Sequence, residues 1–165
     1  MGHKGFSLDY LQRLIELVEK HSRVFLSVEG EVPEQLEKYK LPIDPTEIHS
    51  ILYYAELFIG EGATMASECA VLGTPSVYVN SLSAGSLENQ EKENLIHMFN
   101  STDGVIEKVE EILKNDNYKT QQKIMRDKAL EKKVDVNKFM EWFILNYPNS
   151  YEKIKENPSF QYKTK

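Results

Sequence analysis

The sequence predicts an α/β protein built on a parallel sheet. Two short apolar runs, residues 57–60 and 76–80, flank a stretch of small residues that reads as a helix and ends at Gly73. Because only a few residues separate the helix from each strand, the strands should be parallel and joined by a right-handed crossover. Helical and extended patterns also alternate through most of the chain. We therefore expect a three-layer, Rossmann-like sheet with helices on both faces.

The first third of the chain predicts a helix, a strand and two further helices. Apolar residues recur at helical spacing from residue 8 behind Ser7, an available cap, which predicts a helix to about residue 21. Residues 24–28 are β-branched and aromatic and predict a buried strand. Pro33 opens a short helix, and another helix covers 46–55 after two prolines that bracket a turn.

The alternation continues after the central strands. A charged segment from residue 88 leads to a short apolar piece at 95–99 and an amphipathic helix over 103–114. Residues 118–147 are predicted to be helical. The apolar residues of its expected docking face are Val134, Val136, Phe139, Met140, Trp142 and Phe143. We expect one domain over 1–147 and a polar tail over 148–165 that is ordered only where it docks.

The start of the chain departs from the usual α/β order. Open α/β units normally begin with a strand, whereas residues 1–5 lead directly into the first helix. We expect an earlier strand, and a preceding domain, upstream of this helix. The edge beside residues 24–28 would then be open and would expose Phe25, so we also expect self-association, with a homodimer as one form of partner.

Composition excludes several classes of protein. The chain has 165 residues, 41% of them hydrophobic, and no apolar run near the ~20 residues that a bilayer span needs. A single cysteine, Cys69, excludes a disulfide framework or a Cys-rich zinc module, and with no secretory signal this predicts a cytoplasmic protein. Cys69 lies on a helix expected to pack on the sheet, which predicts a buried, inert thiol.

The charge distribution argues against nucleic acid as a partner. Residues 1–106 hold 7 Lys and Arg against 16 Asp and Glu. A duplex-binding face needs clustered cations, which this acidic part does not offer. Backbone N–H groups would therefore have to hold any phosphate bound there.

A glycine-rich turn is the feature most typical of a binding site. The run from Gly60 to Glu68 joins a strand end to a helix start, where free N–H groups and the helix dipole favour an anion. Gly62 would let a phosphate approach the backbone. Alternatively, the small residues serve only close packing of helix on sheet, and Glu68 is a solvated helix residue.

The stretch 57–80, LFIGEGATMASECAVLGTPSVYVN, resembles the nucleotide-binding unit in the C-terminal half of GT-B-fold glycosyltransferases and UDP-N-acetylglucosamine 2-epimerases. Over most of residues 2–115 the chain is also similar to domain-of-unknown-function family 354. The resemblance implies a fold equivalent to the C-terminal domain of a GT-B protein. It also implies that the small-residue turn binds the diphosphate of a UDP-sugar.

Carried over to this chain, the resemblance implies a set of nucleotide-sugar contacts. Gly62, Ala63 and Thr64 would face the diphosphate with Glu61 beside them, and Glu68 would hold the ribose. The loop after the next strand and the helix beyond it would contact the sugar. Those residues are Asn80, Ser81, Ser83, Gln90 and Asn94. The carboxylate of Glu61 departs from the pattern because it would repel a phosphate.

The function that follows is the binding of a nucleotide-sugar by one half of a glycosyltransferase-like or sugar epimerase-like enzyme. The catalytic base of such enzymes comes from the N-terminal half, so the chain is not expected to be active alone, and no metal or cofactor is expected. An alternative is a non-catalytic ligand-binding or protein-interaction module. A third, a metal-dependent hydrolase, depends on Glu29, Glu31 and Glu61 converging. His49 and His97 lack neighbours at metal-ligand spacing.

Overall fold

The computed structural model describes residues 6–28, 30–82 and 85–164, and the chain divides into two compact units, Met1–Arg126 and Asp127–Lys165. All the described strands lie in the first unit. The described residues of the second unit are helical apart from their connections. The α/β class predicted from the sequence is therefore confirmed.

The sheet of the first unit contains, in the described residues, three short parallel strands. They are β1 (Phe58–Gly60), β2 (Ser76–Val79) and β3 (His97–Phe99), in the order β1-β2-β3. Ile59 lies opposite Val77, and Val77 lies opposite His97. Every residue of β2 is buried, whereas β1 and β3 are half-buried, since each has one neighbouring strand among the described residues.

Helices surround and follow these strands. The α-helices of the described residues are α1 (Leu8–Val18), α2 (Ile48–Tyr54), α3 (Ala63–Leu72), α4 (Gly85–Lys92), α5 (Val105–Leu113), α6 (Tyr118–Leu130), α7 (Val136–Leu145) and α8 (Asn149–Glu156). Short 3₁₀ helices cover Glu34–Tyr39, Pro45–Glu47 and Pro158–Lys163. Ser7 caps α1 as predicted, because its hydroxyl accepts a hydrogen bond from the N–H of Tyr10.

The central strand-helix-strand unit is confirmed close to its predicted bounds. β1, α3 and β2 follow one another, and Gly73 ends α3 in the left-handed conformation, with φ of 77°. Only glycine adopts this backbone at little cost, which is why it stops the helix here. Thr74 then donates from its hydroxyl to the carbonyl of Leu52, 2.7 Å away, and ties the end of α2 to the start of β2.

The main core lies on one face of β2. Val77 and Val79 alternate toward this face and pack with Tyr10 and Leu14 of α1 and with buried residues of α5. Ser76 and Tyr78 alternate to the opposite face, where α3 packs on the sheet. The side of α3 that is buried consists of small residues, Ala66, Cys69 and Ala70. Small side chains allow this helix to lie close to the strands.

Three side chains of α6 donate hydrogen bonds to backbone carbonyls of earlier segments, two of them at the ends of helices. Lys119 donates to the carbonyl of Tyr54 at the end of α2 (2.9 Å). The Gln122 amide donates to Leu95 (2.9 Å), just before β3, and Arg126 donates to Val71 and Leu72 at the end of α3. We call these three residues the α6 capping row. Cationic donors at helix C-termini satisfy free carbonyls and complement the helix dipole.

The predicted strand over residues 24–28 is not formed, and this prediction was wrong. Only Leu26 makes a bridge, to Lys40, and the rest of the segment is extended without a strand partner in the described residues. Phe25 and Val28 are 54% and 49% exposed. The β-branched composition produces the extended backbone, but a strand also needs neighbours to bond with.

The predicted long helix over 118–147 is also wrong, because it is two helices. Residues 131–135 interrupt it, and Asp135 caps α7, where its carboxylate accepts from the N–H of Lys138. Val136 and Met140 of the expected docking face are exposed. The Trp142 ring instead contacts Phe160, with centroids 4.9 Å apart, so the tail packs on α7 within the second unit.

Candidate functional site

The glycine-rich turn lies at the carboxyl end of β1, and α3 starts directly after it. Gly62 is the N-cap of α3 and no side chain caps this end of the helix. Gly62 and Thr64 are exposed, and Ala63 is half-buried. The first N–H groups of a helix lack partners within it, and here they face an accessible surface at the positive end of the helix dipole. This arrangement can accept an anion.

The two glycines of the turn have different roles. A Cβ atom at Gly60 would stand 2.7 Å from the Cζ atom of the Phe58 ring, so any larger residue here would require that ring to move. A Cβ atom at Gly62 would meet nothing within 4 Å, and its φ of −83° is open to any residue. Packing therefore disfavours a larger residue at Gly60 and leaves Gly62 unexplained. The space at Gly62 is open to a ligand.

Asn80 joins the turn to the loop after β2. Its side-chain N–H donates to the carbonyl of Glu61 (3.0 Å), and its side-chain oxygen accepts from the N–H of Leu82 (2.7 Å). The Asn80 side chain thus links the loop after β1 to the loop after β2, because its nitrogen bonds to one loop and its oxygen to the other. Ser81 is exposed in the same loop, and Ser83 lies outside the described residues. The structure brings the turn and this loop together.

Glu68 lies one turn further along α3 and is paired with a histidine. Its Oε1 atom is 3.3 Å from Nε2 of His49, which lies on α2. The Glu68 side chain is about one-third exposed, so it can be reached from solvent. Sequence reasoning missed His49 because no spacing links it to Glu68.

Gln90 of α4 also contacts α3. Its side-chain N–H donates to the carbonyl of Ser67 (3.3 Å), while its Oε1 atom is buried without a hydrogen-bond partner. This places Gln90 next to the helix that carries Glu68. Asn94 lies beyond the end of α4 with a left-handed φ of 56°, and its carbonyl accepts from Gln122 at the opposite edge of the sheet. The structure does not bring Asn94 to the turn.

Cys69 is confirmed as a buried thiol. It is completely shielded from solvent between α3 and the sheet. Burial, with a smaller effect of the Glu68 carboxylate, raises the pKa of the Cys69 thiol to about 12. The thiolate is therefore almost absent at neutral pH, and Cys69 is not a nucleophile.

Two surface cavities lie away from the turn. One of about 390 Å³ is lined by Phe25, Tyr39 and the segment after α1, and one of about 300 Å³ lies near Glu56, Tyr118 and Lys119 at the amino end of the sheet. Both are shallow. We place the candidate site at the turn because parallel sheets bind ligands beyond the carboxyl ends of their strands.

The described residues contain neither a metal-ligand cluster nor a helix that could span a membrane. Over 6–28, 30–82 and 85–164, no three His, Cys, Asp or Glu side chains come together as metal ligands. Of the three glutamates in the hydrolase hypothesis, Glu31 and Glu61 are among the described residues and Glu29 lies outside them. Among the helices of the same residues, none has the length and apolar character to cross a bilayer.

Comparison with known proteins identifies a family. Residues 6–147 match the family described as "Protein of unknown function (DUF354)". No curated protein and no solved structure matches the chain.

Proposed function

We propose that this chain, which belongs to the DUF354 family, binds a nucleotide-sugar at the unit formed by β1, α3 and β2, because the sequence of this unit resembles the nucleotide-binding unit of GT-B proteins. The ligand is a UDP-sugar. Its diphosphate lies at the N-terminus of α3, against Gly62, Ala63 and Thr64. The observation that carries the proposal is the uncapped helix end beside a glycine that packing does not require.

The neighbouring side chains support a nucleotide rather than a free phosphate. Glu68, one helical turn from the diphosphate position, is reachable from solvent and can accept hydrogen bonds from two ribose hydroxyls. Asn80 aligns the following loop, so that Ser81 and Ser83 are candidates for the sugar, with Gln90 beside α3. In GT-B proteins the active site lies between two halves. We therefore expect this chain alone to bind the donor without turning it over.

The test compares UDP with inorganic pyrophosphate. In an NMR titration, both should shift the amide signals of Gly62, Ala63 and Thr64. Glu68→Gln should weaken UDP at least tenfold, since a hydrogen bond to a charged group is worth about 1.5–3 kcal/mol, and should leave pyrophosphate unchanged. Glu16→Gln, an equal change of charge on the exposed side of α1, is the control. Saturating shifts centred elsewhere, or none at millimolar ligand, would contradict the proposal.

A second candidate function is a ligand-binding or interaction module without catalysis. The observation that favours it is Glu61, a half-buried carboxylate at the turn that disfavours a diphosphate. The same titration distinguishes a protein-interaction module from the first function, because such a module would bind neither UDP nor pyrophosphate at the turn. If UDP binds at the turn, a titration with UDP-N-acetylglucosamine tests whether the sugar contacts proposed for the first function are made.

A further inference from the structure

Strand β1 has an open edge. Phe58 donates to Pro75 (2.9 Å), and the register pairs Phe58 with Ser76. In a parallel pair, alternate residues direct both backbone groups to the same neighbour, so the N–H and C=O of Ile59 point away from β2. Among the residues that the structure describes, no backbone group bonds to Ile59 on that side. β1 is also only half-buried.

The extended segment 24–28 has a second open edge. Leu26 donates to Tyr39 (2.7 Å) and accepts from Leu41 (2.9 Å), so both of its backbone groups are used on one side. By the same alternation, the backbone groups of Phe25 and Ser27 point to the opposite side. Within the described ranges, neither has a backbone partner. The exposed apolar side chains of Phe25 and Val28 belong to this segment.

An unpaired row of N–H and C=O groups is complementary to one kind of partner, an extended strand. We propose that the open edges of β1 and of residues 24–28 together bind one added β-strand. The occupant is a run of about five or six apolar, β-branched residues, because strands of parallel sheets covered on both faces are apolar throughout. The added strand runs parallel to β1 and leads into α1. The added strand, α1 and residues 24–28 then form a strand-helix-strand unit with the usual right-handed crossover.

The test supplies such a strand within the same molecule. The sequence Val-Thr-Val-Ile-Val-Thr is fused before residue 1 of the full chain, so that it precedes α1. Amide hydrogen exchange is then measured for Ile59, Phe25 and Ser27, with a β2 amide as the reference. A fusion of equal length, Val-Pro-Val-Pro-Val-Pro, is the control because its prolines lack the N–H groups that pair with an edge.

We expect exchange at all three amides to slow at least tenfold in the first fusion relative to the proline control, with the β2 reference unchanged. Equal exchange rates in the two fusions would overturn the proposal. Slowing at Ile59 alone, or at Phe25 and Ser27 alone, would overturn the claim that one strand bridges both edges. Protection in the unfused chain that rises with protein concentration would assign the edges to a second copy and would also overturn it.

Discussion

Gly62→Asp should stabilise the protein and weaken nucleotide binding. Gly62 is an uncapped N-cap with φ of −83° and ψ of 110°, a backbone that aspartate adopts readily. Its carboxylate would accept from an N–H of the first turn and complement the helix dipole. Capping contributes a few tenths of a kcal/mol over glycine and the dipole about 0.3–1 kcal/mol. We expect a gain of about 1 kcal/mol, or about 2–4 °C in Tm for a chain of this size.

The same carboxylate would weaken a diphosphate at the turn. Two unit charges 4 Å apart in water interact by about 1 kcal/mol, so a diphosphate with two charges loses about 2 kcal/mol. That corresponds to about a 30-fold increase in Kd for UDP. The carboxylate would also occupy an N–H group that the ligand needs, so this factor is a lower bound. Stability and binding should therefore change in opposite directions.

Thermal unfolding and UDP titration on the same samples measure both quantities. Gly62→Asn is the matched control, because asparagine caps as well as aspartate without the charge. It should give a similar gain in Tm and a smaller loss of UDP affinity. If Gly62→Asp binds UDP as tightly as the unmodified chain does, the diphosphate is not at this helix end and the reasoning is refuted.

Three other measurements address the rest of the first unit. Cys69, with its pKa raised to about 12, should resist iodoacetamide at pH 8 in the folded protein and react within minutes in denaturant; rapid labelling of the native protein would contradict its burial. Arg126→Met should cost about 1–3 kcal/mol in urea unfolding, because it removes charge-assisted bonds to the end of α3, and a loss under 0.5 kcal/mol would show that those carbonyls do not depend on it. Burial, with a smaller effect of Lys108, lowers the pKa of His97 below its usual 6.5, so the unfolded chain binds the proton more readily. The free energy of unfolding should therefore fall as pH drops from 7 through 6.5, and His97→Gln should flatten this dependence; an unchanged slope would assign it to other groups.

The sequence predicted the parts of the fold whose signals are local. The helix between β1 and β2 is marked by its small residues and by Gly73, whose left-handed backbone ends α3. The cap of α1 follows from Ser7 in the same way. Residues 24–28 failed because strand formation depends on neighbours that composition cannot supply. Asp135 is a residue type that often caps a helix, so the start of α7 had a local signal in the sequence. The apolar residues on both sides of it continue at helical spacing, which led us to predict one continuous helix.

The candidate site was predictable to a similar extent. The turn and the Asn80 loop follow strands that are neighbours in a parallel sheet, so their proximity could be inferred from topology. The pairing of His49 with Glu68 depends on how α2 packs beside α3, and no periodicity in the sequence expresses that. The separate roles of Gly60 and Gly62 likewise depend on where the Phe58 ring lies. Equivalence to a GT-B domain stays a prediction.

The α6 capping row has a consequence for the order of folding. Its bonds from Lys119, Gln122 and Arg126 span 65, 27 and 54 residues along the chain, so each must close a long loop before it contributes stability. During synthesis the strands and helices up to α5 emerge first, with the carbonyls at the ends of α2 and α3 still bonded to water. When α6 has been synthesised, it can form hydrogen bonds to all of these separate elements. A single late helix thus converts locally formed pieces into one cooperatively unfolding unit.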